Sequence, residues 1–235
     1  MWRDEPGAHR RRMPVVLRRA IAAGGDLGYS RLVATGIGSS HVLGPRSGDA
    51  LLVVDVQRDF LPGGRLPVPH GDAIIPVLNR VLALWRERDL PVFVTRDWHP
   101  PDHCSFREQG GPWPPHCVAG SEGASLAARL ELPPSATLVS KGTRADAEAY
   151  SGFEGTDLDA RLRAAGIRRL FVGGLATEYC VLATVREALA RGYAAVVLEQ
   201  AIRGLDAAAG AARAAEEEMR RLGASFVREQ ELRGA

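Results

Sequence analysis

The chain has 235 residues, 46% of them apolar and 25% charged, which is enough for one domain with a full core and excludes general disorder. No run approaches the roughly 20 apolar residues that span a bilayer, and a formal net charge of +2 gives no reason to expect nucleic acid. That charge is uneven: residues 1–48 hold eight arginines against Asp4, Glu5 and Asp26, so this +5 head leaves the other 187 residues at −3.

Residues 1–48 mix Arg10–Arg12, Arg18 and Arg19 with Gly and Ser and keep no period of 2 or 3.6, so this basic extension is expected to be poorly ordered. It is Arg-rich and acid-poor like a transit peptide but lacks the apolar stretch of a secretory signal, and the expected location is cytoplasmic. From residue 49 to 235 the chain reads as one domain of alternating strands and helices. The strand Ala50–Val54 is followed by a helix over 73–88, the strand Pro91–Thr95, a long polar loop to about 120, a short helix over 125–131 and the strand Thr137–Ser140. A helix over 157–165 stops at Gly166, and the strand Arg169–Gly173 leads into a helix over 178–190 that stops at Gly192. The strand Ala194–Leu198, a helix over 207–222 ending at Gly223, and the strand Ser225–Val227 complete the chain. Short apolar strands separated by helices imply an α/β three-layer sandwich around a six-stranded, mainly parallel sheet. Ligands of such sheets bind beyond the carboxyl ends of the strands.

The first strand exits into Asp55-Val56-Gln57-Arg58-Asp59-Phe60 with no GxGxxG, which disfavours a dinucleotide cofactor. Asp55 follows an apolar run, where a carboxylate with a raised pKa can act as a base; alone, it reads equally well as a turn cap. The third strand exits at Lys141, the one lysine among 30 basic residues. Chemistry that needs a compact, tunable ammonium would exclude arginine there. The fourth strand exits through Gly173-Gly174-Leu175-Ala176-Thr177-Glu178-Tyr179-Cys180, which sets a thiol near the positive end of a helix after a glycine turn able to face an oxyanion. Three cysteines, an odd number, argue against a disulfide framework. Asp, Lys and Cys leaving three strands at one sheet edge supply the parts of thiol-based acyl transfer.

The long loop carries Asp97-Trp98-His99 with His103, Trp113 and His116. Asp97 and His99, two apart at a strand end, point the same way and can share one divalent ion, with a third ligand from the loop. A structural zinc knot through Cys104 and Cys117 competes with this reading but has no CxxC spacing, and plain solvated loop histidines are a second alternative.

The segments DVQRDF (55–60), TRDWHPPDHCSF (95–106), WPPHC (113–117), SKGT (140–143) and GLATEYCV (174–181) together resemble the nicotinamidase/pyrazinamidase branch of the isochorismatase-like cysteine hydrolases over residues 49–228. The resemblance implies a catalytic triad of Asp55, Lys141 and Cys180, and a divalent metal on Asp97, His99 and His116, zinc first, with iron or manganese as alternatives. It also implies a ring site between Phe60 and Trp113 joined by Tyr150, an oxyanion hole from the amides of Ala176 and Cys180, and a cis peptide before Ala176. His103 matches a position that some members use as an extra ligand, and its role stays open. The activity implied is hydrolysis of nicotinamide to nicotinate and ammonia through a cysteine thioester, with a small-molecule amide as partner, no nucleic acid or membrane, and a homo-oligomer left open. The rivals are a metal-independent cysteine hydrolase of the same fold acting on a carbamoyl or ureido compound, and a metal-binding or interaction module on an inactive core. A vinyl ether hydrolase of the isochorismate type would need neither the cysteine nor the metal.

Overall fold

The computed structural model describes residues 44–232; the basic extension read as poorly ordered lies, through residue 43, outside the described residues. In chain order the elements are β1 (Asp49–Val54), α1 (Ile75–Glu87), β2 (Val92–Asp97), β3 (Thr137–Lys141), α2 (Leu158–Ala164), β4 (Arg169–Leu175), α3 (Leu182–Ala190), β5 (Ala194–Arg203), α4 (Ala211–Arg221) and β6 (Ser225–Val227). The strands form one sheet in the order β3-β2-β1-β4-β5-β6, and every neighbouring pair is parallel, where the sequence led us to expect a mainly parallel sheet. Among the described residues no helix is long and apolar enough to cross a membrane.

Every residue of β1 is buried, because both faces of the sheet are covered. On one face Leu51 and Val53 pack with Leu78, Leu82 and Trp85 of α1. On the other, Ala50, Leu52 and Val54 pack with Leu158 and Leu162 of α2, Val185 and Ala188 of α3 and Met219 of α4. Each such Leu or Val contributes about 1.5–3 kcal/mol by leaving water. From β1 the chain moves outward to β2 and β3, then crosses back to β4 and moves the other way, so the order reverses between β1 and β4. A crevice opens at such a reversal, beyond the strands' carboxyl ends. Gly174 permits the close approach there: its φ is +142°, and a Cβ would lie 2.0 Å from the Val54 carbonyl oxygen.

Two expectations are corrected. Residues 125–131 form no helix: Leu126 bridges Gln57 in antiparallel fashion and Ala127 N–H donates to the Val56 carbonyl, so this backbone is spent on tying down the exit of β1. The fifth strand runs on to Arg203 instead of stopping at Leu198, because it bulges: Val172 faces Val197, yet Gly174 already faces Ile202. The bulge absorbs the polar Glu199-Gln200 and brings residues 203–205 to the crevice.

Candidate active site

Asp55 leaves β1 in the left-handed region, with φ +50°, a backbone conformation that non-glycine residues adopt mostly where surroundings enforce it. Its carboxylate is fully buried, accepts a hydrogen bond from Thr95 Oγ1 at 2.6 Å and lies 2.9 Å from Lys141 Nζ. Lys141, at the end of β3, is buried with four acceptors in reach: Asp97 Oδ1 at 2.6 Å, Asp55 Oδ2 at 2.9 Å, the Ala149 carbonyl at 3.0 Å and Cys180 Sγ at 3.5 Å. Ligand atoms of Asp55, Asp97 and Cys180 lie within 4.8 Å of one another, so the three strand exits do converge.

Cys180 sits in a π-helical turn, Thr177–Val181, that runs into α3; the Ala176 carbonyl accepts the N–H groups of Tyr179 and Val181 at 3.1 and 3.2 Å to close it. The Leu175–Ala176 peptide is cis. Burial pushes the Cys180 thiol well up, against the pull of Lys141, and pushes the Asp55 carboxyl up as well, so in the resting site the proton belongs on sulfur with a base of raised affinity beside it. Burial opposes the charge on Lys141, but Asp55 and Asp97 outweigh it and hold the ammonium protonated. For Asp97 burial again works against the ion; Lys141 and His99 outweigh it and keep the carboxyl well below the usual range.

Next to this cluster, ligand atoms of Asp97, His99 and His116 gather within 4.8 Å, and all three residues are buried. His99 Nδ1 is 2.9 Å from the Gly142 carbonyl, and His116 Nδ1 is 2.8 Å from the Pro114 carbonyl. A ring nitrogen facing a carbonyl carries the proton, so in its neutral form each imidazole presents a bare Nε2, the donor a divalent ion requires. Asp97, against burial, pushes His99 up, so an ion binding there would displace a proton. One carboxylate oxygen and two imidazole nitrogens suit zinc, iron or manganese, so the residues present fit the expected ion. His103 stands apart: its ring stacks on His99 at 4.0 Å between centroids, while Nδ1 meets Ser105 Oγ at 2.7 Å and Nε2 meets the Ala147 carbonyl at 3.1 Å. With both nitrogens engaged, its contact with the set is the stack. Cys104 and Cys117 join no such donor group among the described residues, which disposes of the zinc knot.

A narrow cleft joins the two clusters. Phe60, Trp113, Tyr150, Ala176 and Cys180 line it together with Asp97, His99 and His116, whereas Asp55 and Lys141 lie behind the wall. Trp113 Nε1 donates to Tyr150 Oη at 3.0 Å, and Trp113 meets Tyr179 edge-on at 5.1 Å. Leu66, Val68, Tyr179 and Leu205 complete the apolar wall and were not foreseen.

Other positioning groups also escaped the sequence reading. The buried Gln57 amide accepts the Asp97 N–H at 2.7 Å and donates to the Asp97 carbonyl at 2.8 Å, locking the exit of β2 to that of β1. Asp59 Oδ2 accepts the Cys117 N–H at 2.7 Å, fixing the loop next to His116. Gly142, with φ +61°, lies under His99, where a Cβ would stand 2.4 Å from the imidazole. The motif DVQRDF carried Gln57 and Asp59 as a signal, but their partners are 40 and 58 residues away.

The comparisons agree with this geometry. The isochorismatase domain model matches residues 49–231. The nicotinamidase of Escherichia coli is 39% identical over 178 residues, covering 67% of this chain and 84% of that protein. The nicotinamidase/pyrazinamidase of Mycobacterium tuberculosis is 37% identical, covering 67% and 88%. A crystal structure of the pyrazinamidase of Pyrococcus horikoshii in complex with zinc superposes with a TM-score of 0.74 at 48% identity, covering 77% of this chain and 99% of that one. The chain therefore belongs to the isochorismatase domain family, and nicotinamidases and pyrazinamidases stand among its relatives.

Proposed function

We propose that the protein is a nicotinamidase, an amidohydrolase that converts nicotinamide to nicotinate and ammonia through a thioester on Cys180. The observation that carries this reading is the single ammonium of Lys141 in reach of Asp55, Asp97 and Cys180, in a site whose lining also includes two imidazoles with Nδ1 held at a carbonyl. A cysteine hydrolase that works without metal has no use for the Asp97, His99 and His116 set, and this favours the nicotinamidase over the carbamoyl or ureido alternative.

Asp97, His99 and His116 would hold a divalent ion, which would supply a Lewis acid for the pyridine nitrogen of the substrate. Phe60 and Trp113 take the ring between them, Tyr150 fixes Trp113, and the carboxamide is brought to Cys180. Asp55 accepts the thiol proton while Lys141 offsets the developing charge, and the sulfur attacks the carbonyl carbon. The N–H groups of Ala176 and Cys180 hold the oxyanion, each worth about 3 kcal/mol in the transition state. Asp55 returns the proton to the leaving nitrogen, and ammonia departs. Water, deprotonated by the same carboxylate, then cleaves the thioester to release nicotinate and restore the thiol.

Ammonia release from nicotinamide and from pyrazinamide, measured before and after adding zinc, iron or manganese to chelator-treated protein, tests this. The expected result is amide-dependent ammonia that chelation abolishes and one of the ions restores. Full activity with under about 0.2 equivalents of bound metal would hand the site to the metal-independent rival.

A further inference from the structure

Glu178 lies in the turn that carries Cys180, yet its side chain faces away from the reacting groups. Its carboxylate accepts two successive backbone N–H groups of the loop after β5: Leu205 N–H reaches Oε2 at 3.2 Å and Asp206 N–H reaches Oε1 at 2.6 Å. Leu205 lines the cavity. The preceding residue has to be glycine for this fit, because a Cβ at Gly204 would stand 2.8 Å from Glu178 Oε2 and 2.4 Å from Ala212 Cβ. The next residue, Asp206, takes a left-handed φ of +51° and caps the start of α4 by accepting the Ala212 N–H at 3.1 Å. Loop 204–206 is thus pinned from both ends, and the one side chain it sends into the cavity is an isobutyl group.

We propose that Leu205 is a specificity-determining residue that limits the size of ring the cavity admits, and that Glu178 is the positioning residue that holds it there. The inference rests on the amidase reading above. A carboxylate suits this task because it can accept both N–H groups at once, whereas an amide of the same shape turns one donor against a donor. The turn that carries Cys180 and the part of the wall that Leu205 forms are then tied together through a single side chain.

Steady-state kinetics and hydrogen exchange together test it. Leu205→Ala should raise KM for nicotinamide more than it lowers kcat, and should improve the relative kcat/KM for 5- or 6-methylnicotinamide by about tenfold or more, the discrimination that one or two apolar carbons give in a pocket. Glu178→Gln should move both quantities in the same direction by a smaller factor and speed exchange of the amides of residues 205 and 206, while Glu178→Asp recovers part of the loss. Once Leu205 is alanine, Glu178→Gln should change KM no further, since the two act through one contact. Additive effects in the double variant, or a fall in kcat with KM and ring preference unmoved, would overturn the inference. Should Glu178→Gln fail to fold, unchanged ring preference in Leu205→Ala is decisive alone. Absence of ammonia from the unaltered protein would defeat the amidase reading and this inference with it, whereas ammonia with unmoved ring preference defeats only the inference.

Discussion

Replacing Lys141 by methionine removes one charge and keeps the chain length, so it isolates what the ammonium does. The side chain is buried, with Asp97 Oδ1 at 2.6 Å and Asp55 Oδ2 at 2.9 Å. Taking away the cation leaves two carboxylates in a dry site with no counter-charge, and breaking a buried pair in this way costs about 3–5 kcal/mol. The Ala149 carbonyl, which accepts from Nζ at 3.0 Å, loses a partner too. With a urea m-value of roughly 2 kcal/mol per molar, the denaturation midpoint should fall by about 1.5–2.5 M, and ammonia release should vanish. Adding Asp55→Asn and Asp97→Asn to the same chain removes the stranded charges. At least half of the lost stability should then return, while activity stays absent. A Lys141→Met protein within about 1 kcal/mol of the original, or a triple variant no more stable than the single one, would refute the view that this lysine holds the site by charge.

Three further outcomes are expected. Cys180→Ala should lose at least a hundredfold in turnover and keep substrate affinity within about tenfold, as measured by calorimetry; more than a hundredth of the activity surviving would reject the sulfur as nucleophile. Gly142→Ala places a methyl group 2.4 Å from the His99 ring at a backbone φ of +61°, and zinc affinity in a chelator competition should drop about 10–100-fold, the cost typical of disturbing a ligand's outer contacts. Tyr193 donates to Asp159 Oδ1 at 2.7 Å, and burial together with that bond pushes its hydroxyl up to about 12. A proton held more tightly in the folded state contributes stability that is complete below the unfolded value of about 10 and lost above it, so the advantage over Tyr193→Phe in urea melts should shrink between pH 10 and 12.

The layered parallel fold was legible because buried strands such as Leu51–Val54 are continuously apolar, and parallel neighbours demand crossovers. The convergence of Asp55, Lys141 and Cys180 was legible for a related reason: Asp55 and Lys141 are polar residues at strand ends, which must come out at the sheet's carboxyl edge, and Cys180 lies in the turn that follows a third strand. What escaped notice depends on pairings that no local pattern encodes. Gln57 matters because β1 and β2 are neighbours, which sets its amide against the backbone of Asp97, 40 residues on. Glu178 matters because a bulge in β5 delivers Leu205 to it, and a bulge has no period. The helix expected over 125–131 failed by the same logic: its residues suit a helix, but the exit of β1 needed partners for its backbone, and Ala127 supplies one. Local preference yields when tertiary hydrogen bonds compete for the same chain.

The solitary lysine also explains why Cys180 and the donor set lie side by side rather than in separate pockets. Asp97 turns one carboxylate oxygen to Lys141 at 2.6 Å and the other to His99 Nε2 at 3.6 Å, so it belongs to both groups. Two carboxylates against one ammonium leave the buried cluster short of positive charge, and Asp97, against burial, pushes the His99 imidazole up. With each Nδ1 held at a carbonyl, a divalent ion at Nε2 would take the place of such a proton. A shortage of positive charge in a water-poor site is costly for the bare protein and would attract a dication, so the feature that burdens the fold is also the one that suits an ion. Substituting arginine for Lys141 would not preserve this balance. Its charge would be retained, but its planar fork needs room that a fully enclosed position between Asp55, Asp97 and Cys180 does not offer, and Lys141→Arg should therefore be inactive although it conserves charge.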